Sequence, residues 1–84
     1  MLLLKKVYRF LSYRDRSEKE IRDFLIRKKA QNPNEIIEEL KEQGYINDER
    51  FAREWVESRR RSKQKGVKAL KLELWQKGIG REII

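Results

Sequence analysis

The strongest constraint on the fold of this chain is an internal repeat. Residues in the second half match residues in the first half at an offset of 49, and the matches fall at helical spacing. The matched pairs are Ser17 with Gly66, Ile21 with Leu70, Leu25 with Leu74 and Lys28 with Lys77. After a two-residue gap, NEII at 34–37 meets REII at 81–84. The repeating unit is therefore three helices in about 48 residues, and the second copy stops as its third helix begins.

The repeat predicts an all-α fold of tandem three-helix repeats. Residues 1–47 form the first repeat and residues 48–84 an incomplete second one. One such unit buries few side chains and normally leans on a neighbour. We therefore expect that the natural protein is longer or that this chain is a fragment, with a naturally short chain open as an alternative. Strands have almost no support, because no segment alternates polar and apolar residues for long.

Five helices follow from apolar spacing and from residues that begin and end helices. They cover residues 2–12, 18–28, 33–43, from 47 or 48 to 58, and 67–76. Ser17 with Glu20 matches a capping box, and Asn32 is a candidate cap ahead of Pro33. Gly44 suits the left-handed residue that ends the third helix. The fourth helix loses its apolar face at Arg59, which predicts a basic turn over RRRSKQKG.

The inner faces of these helices predict the core. Its members are Leu4, Val7, Tyr8, Leu11, Ile21, Phe24, Leu25, Lys28, Ile36, Ile37, Leu40, Phe51, Ala52, Trp55, Val56, Val67, Leu70 and Leu74. Phe51 and Trp55 could also stack on unpaired bases, but their spacing favours the core. Trp75 lies near the edge of the apolar face of the fifth helix. An exposed Trp there would indicate a partner surface or contact with a missing third helix.

Composition excludes several function classes. The chain has no Cys and no His, so Ser/His and Cys/His nucleophile pairs and the usual zinc sites cannot be built. We expect no enzyme activity, no cofactor and no metal, and Glu35, Glu38, Glu39 and Glu42 are interpreted as a solvated helix face. The opening MLLLKK lacks the pattern of a signal peptide, and no segment has the apolar length of a membrane span. We expect a soluble cytoplasmic protein.

The net charge of +8 is concentrated in the second half of the chain. Residues 1–48 have a net charge of +2 and residues 49–84 a net charge of +6. Such an asymmetry indicates a polyanionic partner, or a partner that itself holds a polyanion.

The candidate binding site is the run RRRSKQKGVKALK at 59–71, which contains no acidic residue. Its cations, together with Arg53 on the preceding helix, make up the predicted set: Arg53, Arg59, Arg60, Arg61, Lys63, Lys65, Lys68 and Lys71. Arg pairs bidentately with phosphate or carboxylate, and Lys acts as a mobile point charge. A solvated loop that aids solubility is the alternative. No cluster of Asn or Gln is present to read bases, so we expect no sequence-specific recognition.

The chain resembles the bacterial RecX family, regulators of the RecA recombinase. The resemblance rests on FLSYRDRSEKEIRDFLIRK at 10–28, IIEELKEQGYINDERFAREWVESR at 36–59 and KGVKALKLELWQKGI at 65–79, and covers nearly the whole chain. It implies three tandem three-helix repeats in an elongated, curved arrangement, of which this chain holds the first and most of the second. It also implies a non-catalytic monomer that lodges in the groove of a RecA filament on single-stranded DNA, inhibits its ATPase and strand exchange, and acts in DNA repair, recombination and the SOS response.

A second hypothesis belongs to a different class. The basic run could make the chain a sequence-independent DNA-binding helical module that acts directly on nucleic acid, without the recombinase.

Overall fold

The fold is all-α, as the repeat predicts. The computed structural model describes residues 2–62 and 66–84, and its helices are α1 Leu2–Tyr13, α2 Glu18–Arg27, α3 Pro33–Glu42, α4 Asp48–Ser62 and α5 Val67–Gln76. No strand occurs in these two ranges. The molecule is elongated, with principal extents of 41, 23 and 22 Å. No helix in the described part of the chain is long and apolar enough to cross a membrane.

The sequence repeat is also a geometric repeat. α2 ends with a hydrogen bond from the Ala30 amide to the Leu25 carbonyl, and α5 ends with the equivalent bond from Ile79 to Leu74, each 3.0 Å long. The residue after each C-cap has a positive φ, 58° at Lys29 and 80° at Gly78. This is the Schellman geometry, in which a left-handed residue reverses the chain. The offset of 49 therefore relates backbone conformation as well as residue type.

Of three residues predicted to begin or end a helix, two act as predicted and one does not. Ser17 forms the full capping box with Glu20, and Gly44 ends α3 with a φ of 81°. Asn32 occupies the cap position of α3 but makes no side-chain cap. Its amide nitrogen instead donates to the Glu35 carboxylate, at 3.1 Å. Pro33 has no amide hydrogen to offer, so fewer donors at this helix start need a cap.

The buried side chains form two clusters, one in each half of the chain. The first contains Val7, Ile21, Phe24, Leu25, Ile37, Leu40 and Ile46, and the second contains Phe51, Ala52, Leu74 and Ile79. Most other predicted core residues are half-buried: Leu4, Tyr8, Leu11, Ile36, Trp55, Val56 and Leu70. The small size of the second cluster reflects the few helices that pack around it.

Two predicted core residues are wrong. Lys28 is exposed, because it follows the last helical residue of α2. Its Nζ lies over the Phe24 ring, 5.7 Å from the ring centroid. Val67 is 68% exposed, because it is the first residue of α5 and projects away from the second cluster.

Polar contacts lock the two halves together. The buried Ser17 hydroxyl donates to the Lys77 carbonyl at 2.7 Å, and the Asp48 carboxylate accepts from the Glu18 amide at 2.8 Å. Gly78 lies so close to Lys19 that an added Cβ would fall 2.5 Å from the Lys19 Cβ. These contacts fix the angle between the repeats, and so fix where the basic second half is presented.

Candidate functional site

The first residues of the predicted basic turn, 59–62, are helical. α4 continues to Ser62, so Arg59, Arg60 and Arg61 lie on its last turn, and the prediction that the helix ends before Arg59 is wrong. Arginine is a good helix former, and the first Gly after this segment is Gly66. The loss of an apolar face therefore marks where α4 leaves the core, but does not end the helix.

Because these three arginines are consecutive on a helix, they point in different directions. Arg59 and Arg61 line a groove of about 610 Å³, which we call the Trp55 groove. Arg60 lines a second groove of about 410 Å³ on another side of α4, which we call the Val56 groove. The three arginines of the predicted patch are thus divided between two surfaces.

The Trp55 groove lies at the joint between the repeats. Arg14 and Asp15, from the turn after α1, face Phe51, Trp55, Arg59 and Arg61 of α4 across it. Phe51 is only 2% exposed, which confirms that it belongs to the core, and it stacks on Trp55 with ring centroids 5.7 Å apart. Trp55 is half-buried and forms one wall of the groove. Sequence reasoning missed Arg14, because its neighbours here lie about forty positions further along the chain.

Three cations surround the Trp55 ring. Arg14, Arg59 and Lys77 lie 5.8, 4.7 and 5.3 Å from a ring of Trp55. Cations in this range are attracted to the negative face of an indole. The arrangement concentrates positive charge against one aromatic surface.

Two carboxylates hold these cations in place. Glu73 accepts from Trp55 Nε1 at 2.9 Å and from Arg59 Nε at 3.3 Å. Glu20 accepts from Arg14 Nη2 at 2.6 Å and from Lys77 Nζ at 3.3 Å. An anion entering the Trp55 groove must therefore compete with built-in carboxylates for these cations.

The charge of Glu20 is favoured in the folded state. Burial alone would raise the pKa of Glu20, but hydrogen bonds from Arg14 and the Ser17 amide, with the nearby charge of Lys77, outweigh it and lower the pKa. Glu20 is therefore a structural anion that ties the turn after α1 to the end of α5.

The Val56 groove has an apolar floor and a charged rim. Ala52, Val56, Leu74 and Ile83 contribute the floor. Arg53 and Arg60 lie on the rim, and Arg53 Nη2 is 3.2 Å from Glu49 Oε1 in an exposed pair. Exposed pairs of this kind contribute little to stability, so Arg53 can exchange its partner at low cost.

The remaining predicted residues belong to α5 and to the segment before it. Lys68 and Lys71 are exposed on α5, whereas Lys63 and Lys65 lie outside the described residues. Three large apolar side chains share this surface with the lysines, and Val67, Leu72 and Trp75 are 68%, 57% and 64% exposed. We call these five residues the α5 outer face. The sequence left Trp75 undecided, and Leu72 carried no signal of its own.

Comparison with known proteins decides the family. A model of the first three-helix domain of RecX matches residues 4–40, and a model of the second three-helix domain of RecX matches residues 47–84. The chain belongs to the RecX family. The resemblance drawn from the sequence and the description of the fold as tandem three-helix repeats are both confirmed.

Relatives named "Regulatory protein RecX" cover most of the chain. The protein of Listeria innocua is 44% identical over 96% of this chain and 31% of its own length. Those of Oceanobacillus iheyensis and Bacillus pumilus are 44% and 46% identical, each over 83% of this chain. The chain spans less than a third of the length of these RecX proteins. No solved structure matches the chain significantly.

Proposed function

We propose that the chain is a non-catalytic regulator that binds RecA filaments on single-stranded DNA and inhibits their ATPase and strand exchange. Its membership of the RecX family and the names of its relatives support a regulatory role. The site is the predicted set of cations: Arg53, Arg59, Arg60, Arg61, Lys63, Lys65, Lys68 and Lys71. The proposed repeat boundary lies between Asn47 and Asp48, between the two buried clusters.

One observation carries this proposal. Arg60, Arg61, Lys68 and Lys71 are all exposed, and none of them forms an ion pair within residues 2–62 and 66–84. Arg59, in contrast, is half-buried and bonded to Glu73. The four exposed cations can neutralise a polyanion without first breaking an internal salt bridge. They are therefore expected to contribute more to binding than Arg59.

The polar contacts at the joint suit a partner with a regular surface. The contacts of Ser17, Asp48 and Gly78 hold the two repeats at one angle, so the cations of α4 and α5 have fixed relative positions. A preorganised surface loses less conformational entropy on binding than a flexible one.

Direct binding to nucleic acid is the second candidate function. The same four exposed cations favour it, because phosphate contacts need no particular sequence and no base-reading helix. In that case each phosphate contact would steepen the dependence of binding on salt, with a slope of about −0.7 per contact on a single strand.

A titration distinguishes the two functions. The chain is added to bare single-stranded DNA and to RecA-coated single-stranded DNA at two salt concentrations, and the ATPase rate of RecA is followed. The proposal predicts tighter binding to the coated DNA and a lower ATPase rate. Equal, steeply salt-dependent binding to both, with an unchanged ATPase rate, would contradict it.

A charge-reversal variant with a matched control tests the site. Replacing Arg60 and Arg61 by Glu should weaken binding to the coated DNA and leave helical content by circular dichroism unchanged, because both side chains are exposed. The control replaces Lys5 and Lys6, two exposed residues of α1, by Glu and produces the same change in net charge. If both variants weaken binding equally, the loss reflects net charge and not a site at Arg60 and Arg61.

A further inference from the structure

The α5 outer face differs from the equivalent face of α2. The offset of 49 relates Glu18 to Val67, Lys19 to Lys68, Arg22 to Lys71, Asp23 to Leu72 and Ile26 to Trp75. The basic positions are kept in both repeats. The two acidic residues of α2 are replaced by apolar residues in α5, and the apolar Ile26 is replaced by the larger Trp75.

On α2 the charges neutralise each other. Lys19 Nζ is 3.1 Å from Asp23 Oδ2, and Arg22 Nη2 is 3.1 Å from Glu18 Oε2. Both are pairs of residues four positions apart on the helix. A face with its own counterions has little electrostatic attraction for a charged partner.

On α5 the counterions are missing from the face. Val67 and Leu72 stand where the acids would be, and Lys68 and Lys71 have no ion pair in the described part of the chain. Glu73 projects to the other side of the helix, where it accepts hydrogen bonds from Trp55 and Arg59. The α5 outer face therefore combines unpaired positive charge with exposed apolar surface.

The apolar surface is unusually concentrated. Val67, Leu72 and Trp75 are all more than half exposed, although they lie within one ten-residue helix. Leu72 and Trp75 are three positions apart and so are neighbours on the helix surface, and adjacent exposed apolar side chains of this kind mark sites of interaction. Trp is also the residue most enriched among side chains that anchor protein interfaces.

We propose that the α5 outer face binds an acidic protein segment whose apolar side chains pack on Leu72 and Trp75 and whose carboxylates pair with Lys68 and Lys71. The identity of the partner rests on the proposed function: the segment is part of the recombinase subunits of the filament. The α5 outer face would then contact the protein of the filament and not its DNA. The cations at the end of α4 then remain for the nucleic acid.

Two other occupants, a nucleic acid and a second copy of the chain, match only part of this surface. A nucleic acid would pair with the lysines and stack on Trp75, but Val67 and Leu72 offer nothing to phosphates or bases. In a second copy, the acidic face of α3 would supply carboxylates, but none of the large exposed apolar residues in the described chain lies on α3. An acidic segment with its own apolar residues complements both the charge and the apolar area.

The first test uses model peptides and does not depend on the recombinase. The probe is a synthetic helical peptide with Leu on one face flanked by Glu, and the control peptide has Lys in place of Glu. The acidic peptide should shift the Trp emission of the chain to shorter wavelength, and the Trp75→Phe variant, which keeps Trp55, should show no shift. No shift with the acidic peptide, or an equal shift with the basic one, would overturn the proposal.

The second test uses RecA-coated single-stranded DNA. Trp75→Ala should weaken binding to the coated DNA by at least about tenfold, the effect expected of an anchor residue. The matched control is Ile26→Ala, at the equivalent and similarly exposed position of α2, which should leave affinity unchanged. Binding to bare DNA should be the same for both variants and the original chain.

Each contrary outcome identifies what is wrong. If Trp75→Ala binds coated DNA as tightly as the original chain, the α5 outer face is not the protein contact. A parallel loss on bare DNA would make the face a nucleic-acid surface. Self-association in sedimentation that Trp75→Ala removes would make its occupant a second copy. If the original chain binds coated DNA no better than bare DNA, the proposed function fails, and the peptide test alone decides the inference.

Discussion

Ser17→Ala tests whether the joint between the repeats depends on one buried hydroxyl. The Ser17 side chain is fully buried, and its oxygen has two roles. It accepts from the Glu20 amide at 3.2 Å, which caps α2, and donates to the Lys77 carbonyl at 2.7 Å, which ties α2 to the end of α5. The substitution removes both bonds and leaves the backbone unchanged.

The cost follows from those two bonds. Loss of a serine cap destabilises a protein by about 1 kcal/mol, and loss of a buried hydrogen bond adds about 1 kcal/mol. We expect the free energy of unfolding to fall by about 2 kcal/mol, which corresponds to a decrease in Tm of roughly 8–16 °C for a chain of this size. Thermal and urea unfolding followed by circular dichroism measure both quantities.

Ser12→Ala is the matched control. The Ser12 hydroxyl also donates to a carbonyl, that of Arg9 at 2.6 Å, but it is exposed and lies within a single helix. Its loss should change the free energy of unfolding by less than about 0.5 kcal/mol. If Ser17→Ala unfolds at the same temperature as Ser12→Ala, the stability of the joint does not depend on Ser17.

Three further substitutions test separate parts of the structure. Gly78→Ala should destabilise the chain by about 1 kcal/mol more than Gly44→Ala, because both glycines have a positive φ but only Gly78 lies against Lys19. Equal losses of unfolding free energy in urea would contradict this. Gly66→Ser should raise Tm by a few degrees, because Gly66 has nearly the backbone angles of Ser17 at a helix start and none of the described atoms lies within 4 Å of an added Cβ. An unchanged or lower Tm would show that the introduced serine does not cap α5. Glu20→Gln should destabilise the chain by about 1–2 kcal/mol at pH 7, with an effect that shrinks as the pH falls. In the folded state the pKa of Glu20 is below its ordinary 4.5. The ionised carboxylate therefore stabilises the fold above pH 4.5, and this stabilisation is lost as the pH falls through the lowered pKa. A difference in unfolding free energy between Glu20→Gln and the original chain that stays constant with pH would refute this.

Most of the fold could be predicted from the sequence because the repeat and the caps carry local information. The start of α5 at Val67 and its end at Gln76 are as predicted, and Ser17 and Gly44 act as their types suggest. The errors lie at or near helix ends. α4 extends past Arg59 because arginine is a good helix former and the first Gly after this segment is Gly66, although the apolar face is lost at Arg59. The contacts of Arg59 with Trp55 and Glu73 are tertiary and have no signature in periodicity.

The candidate site was less predictable than the fold. The run of cations at 59–71 showed which residues are charged. It did not show that consecutive arginines on a helix would line two different grooves. Arg14 joins the Trp55 groove from the other repeat, and only the geometry of the joint brings it there. The exposure of Val67 and Trp75 depends on which side of α5 meets the second cluster, and a helix with a weak apolar stripe leaves that undecided.

The central claim is that the chain acts on a protein–DNA filament and not on DNA alone. The most direct measurement is its affinity for RecA-coated against bare single-stranded DNA at one salt concentration, with the RecA ATPase rate recorded in the same samples. The account predicts tighter binding to the coated DNA together with a falling ATPase rate. Equal affinity for the two forms of DNA with an unchanged ATPase rate would contradict it.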